Sequence, residues 1–269
     1  MSSPPTPHGL HFVAKSPVPG LAVAERRVED PEATIICIHG GLDRGGSFAR
    51  LARRTDRFDL VTYDRRGYQG SRALGPLGFE NHVSDLTALA RSEPDGRPII
   101  LFGHSYGGVV AFGAAIAEAA LARLVITYEA PMPWILRRDG TATPVGDDPR
   151  LEAEKFFRRI VSDSAWNRLS ELERDSRRQD GPALVGDLSS LRAMVPLFDL
   201  TALKVPAVYV YGDILAPEFY RSLSAELASL NPLIRSREVI NAAHGAHLSI
   251  PDQLAALFGE LWDETCASA

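Results

Sequence analysis

The chain has 269 residues, 45% of them hydrophobic and 23% charged, with a formal net charge of −5. That composition supplies one sizeable core, or one core with a small accessory unit. Its mild acidity argues against nucleic acid as the main partner, and no apolar run approaches the roughly 20 residues that cross a bilayer.

In chain order, residues 1–9 read as a flexible lead-in. Met1 to Pro7 is Pro-rich and has no basic region followed by an apolar stretch, so a secretory signal is not expected and cytoplasmic residence is. Leu10–Ala14 and Leu21–Val28 read as strands joined by the turn-forming Ser16 to Gly20. Ile35–Ile38 is a buried strand entering His39-Gly40-Gly41-Leu42, Ser47–Arg54 a short helix and Phe58–Tyr63 the next strand. Glu80–Ser92 is an amphipathic helix with Val83, Leu86 and Leu89/Ala90 inward. Ile99–Phe102 is an apolar strand, and the stretch from Val109 to Ala117 is a packed helix. Strands are expected at Arg123–Tyr128, Ala207–Tyr211 and Arg235–Ile240, and a last helix runs from Pro251 to about Trp262. Strand and helix alternate, which predicts an α/β fold with a mostly parallel sheet covered on both faces. The interval 132–205 breaks that rhythm. Its interspersed Arg and Glu residues and its Phe156, Phe157, Ile160, Trp166 and Leu169 suggest helices with one solvated and one apolar face. Gly140 to Pro149 reads as a flexible connector. Cys37 and Cys266 differ in context, so neither a disulfide nor a metal site is expected.

The most informative stretch is Gly103-His104-Ser105-Tyr106-Gly107. Strand, sharp glycine-flanked turn and helix together make this G-x-S-x-G pattern a mechanism, because the turn projects the serine hydroxyl out of the sheet. A serine hydroxyl is a weak nucleophile near neutral pH and needs a base, which in turn needs an orienting acid. Of the seven histidines, His8 and His11 lie in the Pro-rich start. His39 and His104 sit beside glycines at strand ends, and His82 falls on an expected surface helix. His244 and His247 remain, on a loop after a late strand, from which a base can reach a central nucleophile.

These motifs resemble those of the α/β-hydrolase superfamily, serine esterase and lipase branch, over nearly the whole chain from about Leu10 to Trp262. The resemblance implies a hydrolase core of 10–131 and 206–269 and a helical cap of 132–205 roofing the site. It implies Ser105 as nucleophile and His244, seven positions before Pro251, as base, with His247 a non-catalytic neighbour. The acid departs from the family spacing. Counting back from Pro217 favours Asp213, with a two-residue deletion, and the alternative is Glu129 after the Arg123–Tyr128 strand. The His-Gly-X loop implies an oxyanion hole formed by the N–H groups of Gly41 and Tyr106. The Asp64-Arg65-Arg66-Gly67 loop resembles a structural family element with locally paired charges. Leu42, Met132 and Trp134, with Ile135 and Leu136, are candidate pocket-wall residues.

The implied activity is hydrolysis of a carboxylic ester or related acyl bond through an acyl-Ser105 intermediate, with no metal or organic cofactor. An apolar cap favours small or medium apolar acyl groups over charged ones. A Ser at the elbow argues against the Asp-dependent epoxide hydrolases and haloalkane dehalogenases of this fold. Acyltransferase, cyclase, perhydrolase and carbon–carbon bond hydrolase chemistry would use the same triad, and a hydrolase-fold binding protein would use none of it. The expected partner is a small molecule, and a homo-oligomer stays open.

Overall fold

The computed structural model describes residues 9–75, 77–137 and 146–268. The greater part of the expected lead-in and the 140–145 part of the expected connector lie outside these. Eight strands form one sheet in the order β1-β2-β4-β3-β5-β6-β7-β8. They are β1 (His11–Phe12), β2 (Val23–Arg26), β3 (Ala33–Ile38), β4 (Phe58–Tyr63), β5 (Ile99–His104), β6 (Leu124–Tyr128), β7 (Ala207–Gly212) and β8 (Ile234–Val239). β1 and β2 pair antiparallel at one edge, and all pairings from β4 to β8 are parallel. The helices are α1 (Ala49–Ala52), α2 (Phe79–Arg91), α3 (Tyr106–Ala117), α4 (Pro149–Ile160), α5 (Asp163–Arg168), α6 (Glu171–Gln179), α7 (Gly181–Arg192), α8 (Pro217–Leu230), α9 (Ala246–Ser249) and α10 (Pro251–Ala267). Of these, α8 and the short α9 have no counterpart in the sequence reading.

Side chains on a strand alternate between faces, and the core divides accordingly. Ile36 and Ile38 of β3 pack with Leu101 and with Leu86, Val109, Phe112, Leu223 and Leu227 of α2, α3 and α8. Ile35 and Cys37 face the other way, with Phe102, onto Leu51 of α1 and Leu254, Phe258 and Trp262 of α10. Both faces of the central strands are therefore sealed, which is why those strands are apolar throughout rather than alternating.

Between β6 and β7, among the described residues, stand the four helices α4 to α7. They have a small core of their own, in which Ala153, Phe157, Trp166 and Leu184 pack with Leu42 from the loop after β3. Local chemistry sets their boundaries: Asp148 caps α4 ahead of Pro149 at its first turn, and Ser170 with Glu173 forms a reciprocal capping box at α6.

Candidate active site

Parallel strands joined by right-handed crossovers present their C-terminal ends along one edge of the sheet. Ser105 stands at the end of β5, Glu129 at the end of the adjacent β6, and His244 on the loop after β8. Ser105 has φ +52° and ψ −125°, a strained conformation for a residue with a side chain. The surrounding glycines make it attainable. A Cβ on Gly107 would sit 2.1 Å from the Ile38 carbonyl oxygen, and one on Gly103 would sit 2.4 Å from the Gly107 carbonyl oxygen. Strand, turn and helix therefore cross at a separation that only glycine permits.

Glu129, not Asp213, meets the histidine. His244 Nδ1 lies 2.6 Å from Glu129 Oε2, and the other carboxylate oxygen accepts the Gly212 N–H at 3.1 Å. The Glu129 side chain is fully buried and its backbone is held at φ +48°. Asp213 instead accepts the Ala242 N–H at 3.1 Å, bracing the backbone of the histidine loop. This corrects the preference for Asp213, and the reason is steric. At Gly212 the end of β7 already touches the histidine loop: an added Cβ would be 2.1 Å from the Ala242 carbonyl oxygen. The next residue is spent on that backbone contact. The longer Glu side chain crosses to the imidazole from one strand nearer the nucleophile. Two further bonds hold the loop, from His104 Nε2 to the His244 carbonyl at 2.7 Å and from Tyr128 Oη to the Ala243 carbonyl at 2.9 Å.

His247 lies apart from this pair. Its Nε2 is 3.3 Å from Asp43 Oδ2, and its ring packs on Phe48 and His104. Asp43, His104 and His247 bring donor atoms within 4.8 Å of one another, the one group among the described residues whose geometry could hold a metal ion. Burial, and after it the neighbouring His247 and His244, pushes the His104 imidazole well below its ordinary range.

The N–H of Tyr106 opens α3, where the first turn has no intrahelical acceptors. Gly41 joins Tyr106, Ser105, Glu129 and His244 in the wall of one cavity. The closest backbone approach in this loop belongs to Gly40 rather than Gly41: a Cβ on Gly40 would come 2.8 Å from Ser105 Cβ. The loop is clamped from below by Arg65, which is completely buried. Its guanidinium donates to the carbonyls of His39 and Gly40 at 2.9 and 3.1 Å, and its own N–H donates to His39 Nε2 at 2.8 Å. In a trans peptide the carbonyl and the following N–H point in opposite directions. Holding the Gly40 carbonyl down therefore turns the Gly41 N–H up.

Arg65 also pairs with Asp187 of α7, 2.6 Å away and 122 residues distant in sequence. Tyr68 Oη donates to the same carboxylate at 2.7 Å, and His82 Nε2 lies 3.4 Å from it. Burial alone would raise the Asp187 carboxyl, but Arg65 and then His82 outweigh burial and hold it well below the usual carboxylate range. Two expectations are corrected here. The Arg65 and Arg66 charges do not pair locally, since Arg66 reaches Asp85 on α2 at 2.5 Å. His82 is buried at 1% exposure rather than lying on a surface face. Asp64 has the expected structural role, accepting the N–H groups of Gly45 and Gly70 at 2.8 and 3.0 Å.

The cavity measures about 390 Å³. Met132 and Leu136 line it from the segment after β6, Phe156 and Ile160 from α4, and Leu184 and Leu188 from α7. Leu42 and Trp134 do not line it. Leu42 is drawn into the core of the helical insertion, and Trp134 packs edge-on against Phe198 at 5.6 Å. The arginines of the cavity wall, Arg137, Arg159 and Arg192, escaped the sequence reading because mixed charges at short spacing read as solvated helix faces. Among the described residues no helix is long and apolar enough to cross a membrane.

With the elbow, the Glu129–His244 pair and the glycine loop around one cavity, the class of protein is defined by more than its sheet. Residues 35–257 match the model of the alpha/beta hydrolase family, and the chain belongs to that family. Among curated proteins it is similar to lipase LipV of Mycobacterium tuberculosis, 34% identical over 86 residues, which is 32% of this chain and 33% of that protein. The chain therefore aligns with about a third of the length of that relative. Its fold is similar to that of a lipase-esterase related protein from Clostridium acetobutylicum, with a TM-score of 0.69, 13% identity, and 90% of this chain and 99% of that one covered. It is also similar to MenH from S. aureus, with a TM-score of 0.68, 19% identity, and 92% and 99% covered.

Proposed function

We propose that the protein is a serine hydrolase that cleaves a carboxylic ester or related acyl bond of a small substrate through an acyl-Ser105 intermediate. The observation that carries this reading is the contact of 2.6 Å between the buried Glu129 carboxylate and the partly exposed His244, on one cavity with Ser105. A carboxylate on Nδ1 fixes the imidazole tautomer and leaves Nε2 to receive a proton. Ser105 Oγ attacks the substrate carbonyl carbon as His244 Nε2 takes its proton. The negative oxygen of the tetrahedral intermediate is received by the Gly41 and Tyr106 N–H groups, and one preset donor of this kind is typically worth roughly 3–4 kcal/mol. His244 returns the proton to the leaving group as the carbon–heteroatom bond breaks. Water, deprotonated by the same nitrogen, then cleaves the acyl-serine and restores both groups. Helices α4 to α7 act as a cap that shapes the acyl pocket and excludes bulk water.

A fluorophosphonate probe followed by intact-protein and peptide mass spectrometry tests the reading. A single adduct on Ser105, lost in Ser105→Ala together with hydrolysis of p-nitrophenyl esters, is expected. Retained hydrolysis by folded Ser105→Ala would overturn the nucleophile. No adduct and no hydrolysis by the folded protein would favour a hydrolase-fold binding protein.

A further inference from the structure

Three arginines enter the cavity wall: Arg137 after β6, Arg159 in the last turn of α4 and Arg192 at the end of α7. The two carboxylates on that wall are already committed, Glu129 to His244 and Asp187 to Arg65. Four other arginines of the helical insertion reach a carboxylate, Arg150 with Asp175, Arg158 and Arg178 with Glu154, and Arg174 with Glu171, while Arg168 and Arg177 donate to Ser164 Oγ and the Leu42 carbonyl. The cavity arginines reach none among the described residues. Nη1 of Arg192 is buried without a hydrogen-bond partner, while Arg159 lies over the Phe156 ring, 5.6 Å from its centroid. Burial first, and then the like charge of Arg159, lowers the Arg192 guanidinium from its ordinary value, and Glu152, itself paired with Lys155 at 3.1 Å, offsets them only in part. Like charges on one cavity wall that are only partly offset by a carboxylate destabilise the empty protein and are relieved by a bound anion. A guanidinium offers paired N–H donors that match the oxygens of a carboxylate or phosphate.

We infer that the substrate carries an anionic oxygen group, carboxylate or phosphate, besides the acyl bond that is cleaved, and that Arg192 and Arg159, with Arg137, bind it. This rests on the acyl-hydrolase reading and replaces the expectation of an uncharged acyl group: the apolar wall receives the carbon chain and the arginines its charged end. The cavity volume of about 390 Å³ suits such a small molecule.

Binding can be read without turnover. Ser105→Ala protein is titrated calorimetrically with monoethyl glutarate, butyl phosphate and the neutral ethyl pentanoate. At least one anion should bind about tenfold tighter than the neutral ester, or more, as expected of a charge-assisted contact. The ratio of the two anions tells carboxylate from phosphate. The preference should vanish in Arg159→Gln/Arg192→Gln and persist in the surface variant Arg91→Gln. Arg159 is exposed, so Arg159→Gln alone keeps the test readable if the double variant does not fold. Equal binding of all three ligands, or a preference indifferent to these arginines, overturns the inference. The wild-type protein separates it from the reading beneath it. Equal kcat/KM for p-nitrophenyl hemiglutarate and p-nitrophenyl pentanoate would discard the anion site and leave acyl hydrolysis standing. Arginine-dependent anion binding with no hydrolysis and no fluorophosphonate adduct would do the reverse.

Discussion

Replacing Asp187 with Ala tests how the helical insertion is fastened to the catalytic core. The carboxylate is almost fully buried and serves Arg65, Tyr68 and His82 together. Its removal leaves a completely buried guanidinium without a counter-charge. Breaking a buried pair from one side costs about 3–5 kcal/mol, most of it the penalty of the stranded charge. An unfolding entropy of about 2 cal/mol/K per residue over 269 residues converts that into a fall of roughly 5–9 °C in Tm. Calorimetry and urea unfolding of Asp187→Ala should both report it. The double variant Arg65→Met/Asp187→Leu should recover much of the loss, because no charge is then left unpaired. The two variants should differ in turnover. The double variant frees the His39 and Gly40 carbonyls from Arg65 and should lose kcat even where stability returns. A Tm for Asp187→Ala within 1 °C of wild type would refute the reasoning, as would a double variant no more stable than the single.

Glu129→Gln should lower kcat on the order of 10⁴-fold, the loss seen when a triad acid becomes an amide, whereas Asp213→Asn should cost less than about tenfold because Asp213 supports only loop backbone; steady-state kinetics in the reverse order would return the acid to Asp213. Stability should fall on acidification. His39 is neutral in the fold, its Nδ1–H donating to the Gly40 carbonyl and its Nε2 accepting from Arg65. Burial and then Arg65 lower its pKa to about 3. Between that value and about 6.5 the unfolded chain binds the extra proton, so this stability is complete above pH 6.5 and is lost as pH falls, by about 1.4 kcal/mol per unit. The urea midpoint should therefore drop from pH 7.5 to pH 5 by an amount equivalent to about 2 kcal/mol or more, and an unchanged midpoint would contradict a neutral buried His39. Gly107→Ala should yield little or no folded protein, because its Cβ would meet the β3 backbone, while Gly46→Ala, which meets nothing within 4 Å, should be silent in solubility and circular dichroism; a well-folded Gly107→Ala would show the elbow to be looser than described.

The alternation of apolar strands with helices, the elbow around Ser105 and the glycine loop were legible in the sequence because each is a local requirement. A strand buried on both faces must be continuously apolar, as Ile99–Phe102 is, and a turn this tight must place glycine on both sides of the serine. The helix from Pro217 to Leu230 was not read, although Pro217 opens it and Tyr220, Leu223, Ser224 and Leu227 form a buried stripe at helical spacing, because Pro217 served only as the marker for counting back to the acid. The choice between Asp213 and Glu129 was not local at all. It depends on which strand end lies beside β5 and on how near β7 approaches the histidine loop, and both follow from strand order and from the contact at Gly212.

The same division runs through the charges. Sequence placed arginines and acids in the interval 132–205 but could not say which would find one another. Only packing brings Asp187 to Arg65, buries His82 against them and leaves Arg159 and Arg192 on the cavity wall with no ion pair among the described residues. Residue type and short-range spacing determine what a backbone segment can become. Which side chains share a low-dielectric space, and so which charges are satisfied and which wait for a ligand, is decided when distant segments pack.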